Sequence, residues 1–441
     1  MSFHLRVRPL AAGALMTASS FVLGGCGGGV GNNNPKVPSQ VVQAAMARSF
    51  GKTTSVASRM LENYHIVHRF AGRPNDGGHP VAPVLAVNGT LFGTTMGGGT
   101  LGQGAVFKIS AGVEKVIYSF TDFPFSVGGL TADVNGTLYG TTTGGGTMNS
   151  GTIFQITPSG EESVLYNFTD GSDGGHPDSG PGLLDVNGTL YGTTSAGGAH
   201  MSGTVFRFTP PGTESVLYSF AGGSDGNEPN AGLIDIDGTL YGTTQLGGFT
   251  SSPCGNLQFG CGTVFKINTS GSGYTQLYRF KSGSDGAVPL AGLTAVGGML
   301  YGTTVAGGAN RCNGSSVCGT VFKISPSGSG YMQLHKFRGG TDGNAPYASL
   351  TDVDGVLYGT TAGGGAKGCD GGCGTVFKIT TAGKETILHD FAGGSLGVGA
   401  PIAGLIYFNG ALYGTAYGVT SVNGGTVRGS CKCGVVYSLN P

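Results

Sequence analysis

Leu183-Leu184-Asp185-Val186-Asn187-Gly188-Thr189-Leu190-Tyr191-Gly192-Thr193-Thr194 decides the fold. Two apolar runs flank Asn187-Gly188. A type I′ turn needs positive φ at both central residues, which Asn and Gly tolerate, so the stretch predicts a tight antiparallel hairpin. The Tyr-Gly pair returns at Phe92-Gly93, Tyr139-Gly140, Tyr241-Gly242, Tyr301-Gly302, Tyr358-Gly359 and Tyr413-Gly414, at intervals of 47 to 60 residues. Asn88-Gly89, Asn135-Gly136 and Asn409-Gly410, with Asp237-Gly238, Gly297-Gly298 and Asp354-Gly355 as substitutes, supply the turn. A Gly-Thr-Val-Phe-like strand follows, beginning at Gly104, Gly151, Gly203, Gly262, Gly319, Gly374 and Gly434. An aromatic strand such as Val216-Leu217-Tyr218-Ser219-Phe220 closes each unit after a second Gly-bearing turn, for example Pro158-Ser159-Gly160. Each unit therefore reads as a four-stranded antiparallel meander.

In the fourth strand, strict alternation puts Val216, Tyr218 and Phe220 on one face and Leu217 on the other, so both faces are apolar and need cover. Radial stacking of the units provides it, and the expected fold is an all-β, seven-bladed β-propeller over residues 64–441. Tyr64 to Phe70 is of fourth-strand type, while Gly434 to Leu439 is of third-strand type. Pairing these two segments completes the seventh blade, removes an exposed edge and closes the ring.

The 441 residues include 89 Gly and 19 Pro, a share at which an aperiodic chain would be disordered; here the two recur with the repeat. Charged residues are 10% of the chain and balance at 23 against 23, so no basic field exists to neutralise phosphates. That argues against nucleic-acid partners. The expected state is a monomer.

The amino terminus reads as an address. Arg6 and Arg8 precede an apolar run from Leu10 to Leu23, too short to span a bilayer but suited to a secretory signal, so residues 1–25 are expected to be a signal peptide. Leu23-Gly24-Gly25-Cys26 resembles the bacterial lipoprotein lipobox. The resemblance implies that Cys26 becomes the lipidated first residue. Acyl chains such as palmitate then bind a membrane at about 0.8 kcal/mol per buried methylene, and two chains suffice for stable anchoring. In lipoproteins of the kind this segment resembles, Gly27 rather than Asp after the Cys implies the outer membrane or cell surface within the bacterial envelope. Residues 26–63 form a tether, with possible short helices in 40–62 around Val41, Val42 and Met46.

The Leu-Tyr-Gly-Thr-Thr, Gly-Gly, Gly-Thr-Val-Phe-Lys-Ile and Asp-Gly-x-x-Pro elements over residues 64–439 resemble the GloVer tandem repeat of choice-of-anchor bacterial surface proteins. In that family the repeats are shared and the attachment differs between members; here the attachment resembles a lipoprotein signal. The resemblance carries no known catalytic residues, so none are transferred to this sequence. Repeat two lacks the Asp-Gly-x-x-Pro element at Asp122 to Val127, and in repeat seven Leu396 replaces its Asp.

Beyond Cys26, eight cysteines form four local pairs: Cys254 with Cys261, Cys312 with Cys318, Cys369 with Cys373, and Cys431 with Cys433. Each pair lies between the second and third strands, and the later Cys stands where blades one to three have Gln103, Ser150 and Ser202. These loops run 8, 8 and 8 residues in blades one to three, then 17, 14, 12 and 17, and only the long ones carry Cys. Export and loop-stapling disulfides agree with each other; the small Cys431–Cys433 ring would have strained geometry. Zinc is the rival, but it needs four convergent ligands and the pairs sit on separate blades, so no metal site is expected there.

Other motifs dissolve. Gly97 to Gly102 matches G-x-G-x-x-G and Gly222 to Gly226 matches G-x-S-x-G around Ser224, but both lead into strands rather than helices. Asn88-Gly89-Thr90 and its copies match a glycosylation sequon whose Asn the turn already explains. His68, His335 and His389 occupy the place of Tyr118, Tyr166 and Tyr218, and read as packed aromatic substitutes with no ligand cluster around them. Asp173, Asp225, Asp285 and Asp342 recur in Gly-x-Asp-Gly-x-x-Pro loops between fourth and first strands. An Asx turn explains them; calcium is the alternative if backbone carbonyls converge, since one Asp per loop offers too few oxygens.

In a meander the second-to-third and fourth-to-first connections share one face of the ring, which gathers the long, cysteine-bearing loops. The expected function is a non-catalytic, lipid-anchored surface propeller that binds a protein or a glycan through that face, without a cofactor. The absence of Trp weakens sugar stacking relative to protein binding. The alternative is an extracellular glycan-active or oxidase-type enzyme, which needs paired carboxylates or a His/Tyr metal set at the channel mouth.

Overall fold

The computed structural model describes residues 63–441, except residues 73, 123, 125, 178–179, 250–259, 309–317, 366–371, 393–397 and 419–432. The signal peptide, Cys26, the possible helices in 40–62, the Leu396 position and the earlier Cys of each pair lie outside the described residues.

Blade three is the template. Leu184–Val186, Thr189–Ala196, Thr204–Thr209 and Thr213–Ser219 pair in sequence order, all antiparallel. Asn187 and Gly188 take φ of 54° and 81°, the positive pair that a type I′ turn requires. The same order runs through blades one, two, four, five and six. In the seventh, Tyr64–Arg69 pairs with Val435–Leu439, from Tyr64 opposite Leu439 to Arg69 opposite Val435. The chain is thus a seven-bladed propeller closed by its own amino-terminal strand. Neighbouring first strands touch one another, which puts them around the axis and the fourth strands at the periphery.

Packing explains the Tyr-Gly-Thr-Thr signature. A Cβ on Gly192 would stand 2.6 Å from the Phe206 ring of the third strand, and Gly93, Gly140, Gly242, Gly302 and Gly359 lie under Phe107, Phe154, Phe265, Phe322 and Phe377 in the same way. The first Thr reaches the next blade: Thr193 Oγ1 donates to the Ala231 carbonyl, as Thr243 does to Ala291, Thr303 to Ala348, Thr360 to Ala403 and Thr415 to Ala82. The second Thr pairs with the Thr that opens the third strand, Thr194 with Thr204 at 2.9 Å. Hydrophobic clusters fill the spaces between consecutive blades; one unites Tyr191, Val205 and Phe220 of blade three with Leu240, Phe265 and Ile267 of blade four.

Strict alternation in the fourth strand does not hold. In all seven blades the register slips by one residue within the pairing of third and fourth strands. Opposite Phe206 stands Val216, but opposite its neighbour Val205 stands Tyr218, so the bulge at Leu217 sends Val216 and Tyr218 to opposite faces. Tyr218 and Leu217 then share the cluster facing blade four.

Candidate functional site

The fourth-to-first and second-to-third connections emerge together. Gly77–Gly78 pairs with Gly97–Gly98, and single bridges join Asn227 to Leu246, Ala287 to Ala306 and Asn344 to Gly363. One face of the ring therefore carries both loop sets, as the meander requires.

On that face the Asp-Gly-x-x-Pro loop is a clasp between blades. The residue before Pro has positive φ: His79, His176, Glu228, Val288, Ala345 and Ala400 lie between 53° and 60°. Its N–H donates to the residue preceding the third strand's Gly, the carbonyl of Cys433, Ser150, Ser202, Cys261, Cys318 or Cys373. The Pro then covers that Gly, where a Cβ on Gly203 or Gly262 would meet Pro229 or Pro289 at 2.6 or 2.5 Å. A sparsely populated conformation of this kind persists where its surroundings over-determine it. Cys261, Cys318, Cys373 and Cys433 are buried at these nodes.

The loop carboxylates sit at four different junctions. Asp173, Asp225, Asp285 and Asp342 accept from the backbone N–H of Thr169, Ala221, Lys281 and Arg338, each four residues earlier, at 2.7 to 2.9 Å. The carboxylate does hold its turn, but by taking an N–H four residues upstream rather than the N–H two residues on that an Asx turn would use. Each also meets a fourth-strand ring: Tyr166, Tyr218 and Tyr278 donate their hydroxyls to Asp173, Asp225 and Asp285, and His335 Nε2 lies 3.1 Å from Asp342. Asp76, in Asp76-Gly77-Gly78-His79-Pro80, does the same with the Ala71 N–H and His68 Nε2.

A third group completes each junction. Four residues before the ring stands Glu114, Glu162, Glu214, Tyr274, Tyr331, Glu385 or Tyr64. Without the bulge, residues four apart would share a face; with it, this residue looks back to the preceding blade while the ring looks forward. Tyr274 stacks on Tyr218 at 3.8 Å, Tyr331 on Tyr278 at 3.9 Å and Tyr64 on His389 at 3.9 Å. Burial lowers His389 to about 4, so it is neutral at physiological pH. Where the partner is Glu, burial raises it: Glu114, Glu214 and Glu385 are pushed up to about 7. The Oε1 atom of each of these three is buried without a hydrogen-bond partner.

The expectation that no ligand cluster surrounds the histidines is therefore corrected for two of them. His68 meets Asp76 and Glu114, and His335 meets Asp342 and Glu385, with one ligand atom from each residue lying within 4.8 Å of the others. Both sets occupy fourth strands and their exit loops, at the blade periphery and away from the axis where the first strands run. Sequence reasoning missed Asp76 and both Glu residues, although the Glu/Tyr position four before each ring is a regular signal.

A family model described as Gloeobacter/Verrucomicrobia repeat matches residues 51–255 and 248–428. The chain belongs to this repeat family. No curated protein matches it. Among solved structures, the Gloeobacter/Verrucomicrobia repeat chain is similar to a streptogramin B lyase at a TM-score of 0.53 and 14% identity, covering 86% of this chain and 98% of that one. It is also similar to an oligogalacturonate lyase in complex with manganese, at 0.45 and 12% over 80% and 86%, and to a nidogen/laminin complex, at 0.39 and 16% over 64% and 88%. At these identities the likeness is one of fold alone.

Proposed function

We propose that this protein is a non-catalytic binding or scaffold propeller of the bacterial cell envelope, anchored through lipidated Cys26 at the outer membrane or cell surface. It recognises a protein or a glycan through the face that carries the two loop sets. The observation that supports this reading is the pairing of both loop sets on that face, where a rigid ring presents connections whose length varies from blade to blade. Asp173, Asp225 and Asp285 serve the scaffold itself, each holding its own turn and a Tyr ring of the fourth strand.

The cysteine pairs belong to the same reading. Cys261, Cys318, Cys373 and Cys433 are fixed at the blade clasps, so bonds to Cys254, Cys312, Cys369 and Cys431 would tie each long loop to the rigid frame.

Shortening the loops 245–261, 305–318, 362–373 and 417–433 to the eight-residue length of blade three tests the recognition face. The variant is expected to fold and to lose the glycan-array and envelope pull-down ligands of the parent; retention of every ligand overturns the reading. Cys26→Ser is expected to move the protein from the membrane to the soluble fraction, and mass spectrometry of the membrane-extracted chain tests the acylation.

A further inference from the structure

We propose that His68, Asp76 and Glu114, and separately His335, Asp342 and Glu385, each bind one divalent transition-metal cation of the Zn2+ or Mn2+ class across a blade junction. The two sets are built alike from distant parts of the sequence. Each takes its His from the fourth strand of one blade, its Asp from the exit loop, and its Glu from the fourth strand of the next blade. The bulge aims the His forward and the Glu backward into one space.

The spacing already suits a metal. Nε2 of His68 and of His335 lies 3.1 Å from the nearer Asp oxygen. Ligands held at about 2.1 Å from a cation stand about 3.0 to 3.4 Å apart along an octahedral or tetrahedral edge. The third ligand atom falls inside the same 4.8 Å limit. One imidazole with two carboxylates suits a borderline cation such as Zn2+ or Mn2+ better than Ca2+, which prefers oxygen alone.

The electrostatics ask for a cation as well. Each site holds two acidic side chains, and the Oε1 of Glu114 and of Glu385 is buried with no hydrogen-bond donor. Such an atom is costly to leave unmatched. The charged groups felt by Glu114 are Asp76 and His68, and those felt by Glu385 are His335 and Asp342.

The ring contains its own controls. At the junction of blades two and three, Tyr166 replaces the His beside Asp173 and Glu214. Burial raises the Tyr166 phenol, so it stays protonated and donates to Asp173 instead of ligating. At His389 the neighbour is Tyr64, stacked upon it.

The test uses the full chain, stripped with a chelator and dialysed against ZnCl2, with bound zinc counted by elemental analysis. His68→Tyr and His335→Tyr install the ring found at Tyr166, so the junction keeps its packing. The parent is expected to bind two zinc ions more than the double variant, each single variant one more, and His389→Tyr as many as the parent. Zinc should also raise the melting temperature of the parent and leave that of the double variant unmoved. Equal zinc in parent and double variant, or no stoichiometric uptake by the parent, overturns the proposal.

Discussion

Asp133 to Gly140 and Asp185 to Gly192 carry the same eight residues, Asp-Val-Asn-Gly-Thr-Leu-Tyr-Gly, and fold into different turns. In blade three, Val186 pairs with Thr189 across the two-residue turn Asn187-Gly188, both at positive φ. In blade two, Asp133 donates its N–H to Thr137 O, and Gly136 donates to Asp133 O while sitting at φ 82°. The loop is then Val134-Asn135-Gly136, a type I turn with a Gly bulge, and the Asp133 carboxylate accepts from the N–H of Asn135 and Thr137. The cause lies outside the octapeptide. Leu130 and Leu183 are both buried before the first strand, and Tyr139 and Tyr191 are both buried in the second. Nine positions separate the first pair of anchors and eight the second. Because a slip of one residue would turn the strand's apolar side outward, the anchors hold and the extra residue goes into the turn.

Deletion of one residue from the blade-three hairpin should have the greatest consequences. With the anchors held, removal of Val186 leaves blade three only Gly188 for a turn that needs two residues, so the first strand must slip; a loss of about 3 kcal/mol or more is expected in a urea midpoint series. Removal of Val134, which is fully exposed, restores the eight-position spacing and lets Asn135-Gly136 form the two-residue turn, with a change within about 0.5 kcal/mol. Equal effects of the two deletions would show that the octapeptide itself sets the turn.

Beyond the turn the blades should respond alike. A Cβ at Gly140 or at Gly192 meets the Phe154 or Phe206 ring at 2.5 or 2.6 Å, so Gly140→Ala and Gly192→Ala should each cost about 1–3 kcal/mol. Within the turn they should part again. Asn187→Ala puts a Cβ-bearing residue without Asn's tolerance at φ 54° and should cost about 1 kcal/mol. Asn135 is not at positive φ, so Asn135→Ala should be close to neutral in the same urea midpoint series.

Most of the ring was legible because each repeat signals its strands by turn dipeptides and alternating apolar residues, and because Tyr64 to Phe70 and Gly434 to Leu439 are complementary strand types. The bulge was not, since it arises where the twisted third and fourth strands pair and leaves no special residue behind; Leu217, Ile117 and Val67 are ordinary strand formers. Missing it hid the junctions. Glu114 and His68 are far apart in the sequence and become neighbours only when the bulge turns one side chain to each side of its sheet. The Asp loops are turns, as read, though the carboxylate takes an upstream N–H in place of the Asx bond; their second role, receiving a ring from the fourth strand, depends on that same turnover.

The smallest expected difference between the entries to blades two and three is their response to pH. Burial raises Glu214 to about 7, with Asp173 pushing in the same direction and Tyr166 opposing. Glu162 is also raised by burial and is held back by the hydrogen bond with Tyr118, while blade two's entry lacks the loop Asp. A carboxyl raised in the folded state binds more protons there than in the unfolded chain between its ordinary value near 4.5 and about 7. Its contribution to stability is therefore complete below that window and is lost as pH climbs through it. Both groups are partly exposed, so solvent screens the effect and keeps it small. Glu214→Gln should flatten the fall in stability between pH 4.5 and 7 more than Glu162→Gln does, and Asp173→Asn in the parent should recover part of that flattening by removing the nearby charge. Denaturation midpoints taken across the window decide it: identical pH profiles for the two Gln variants would mean that the Asp loop contributes nothing to the electrostatics of its junction.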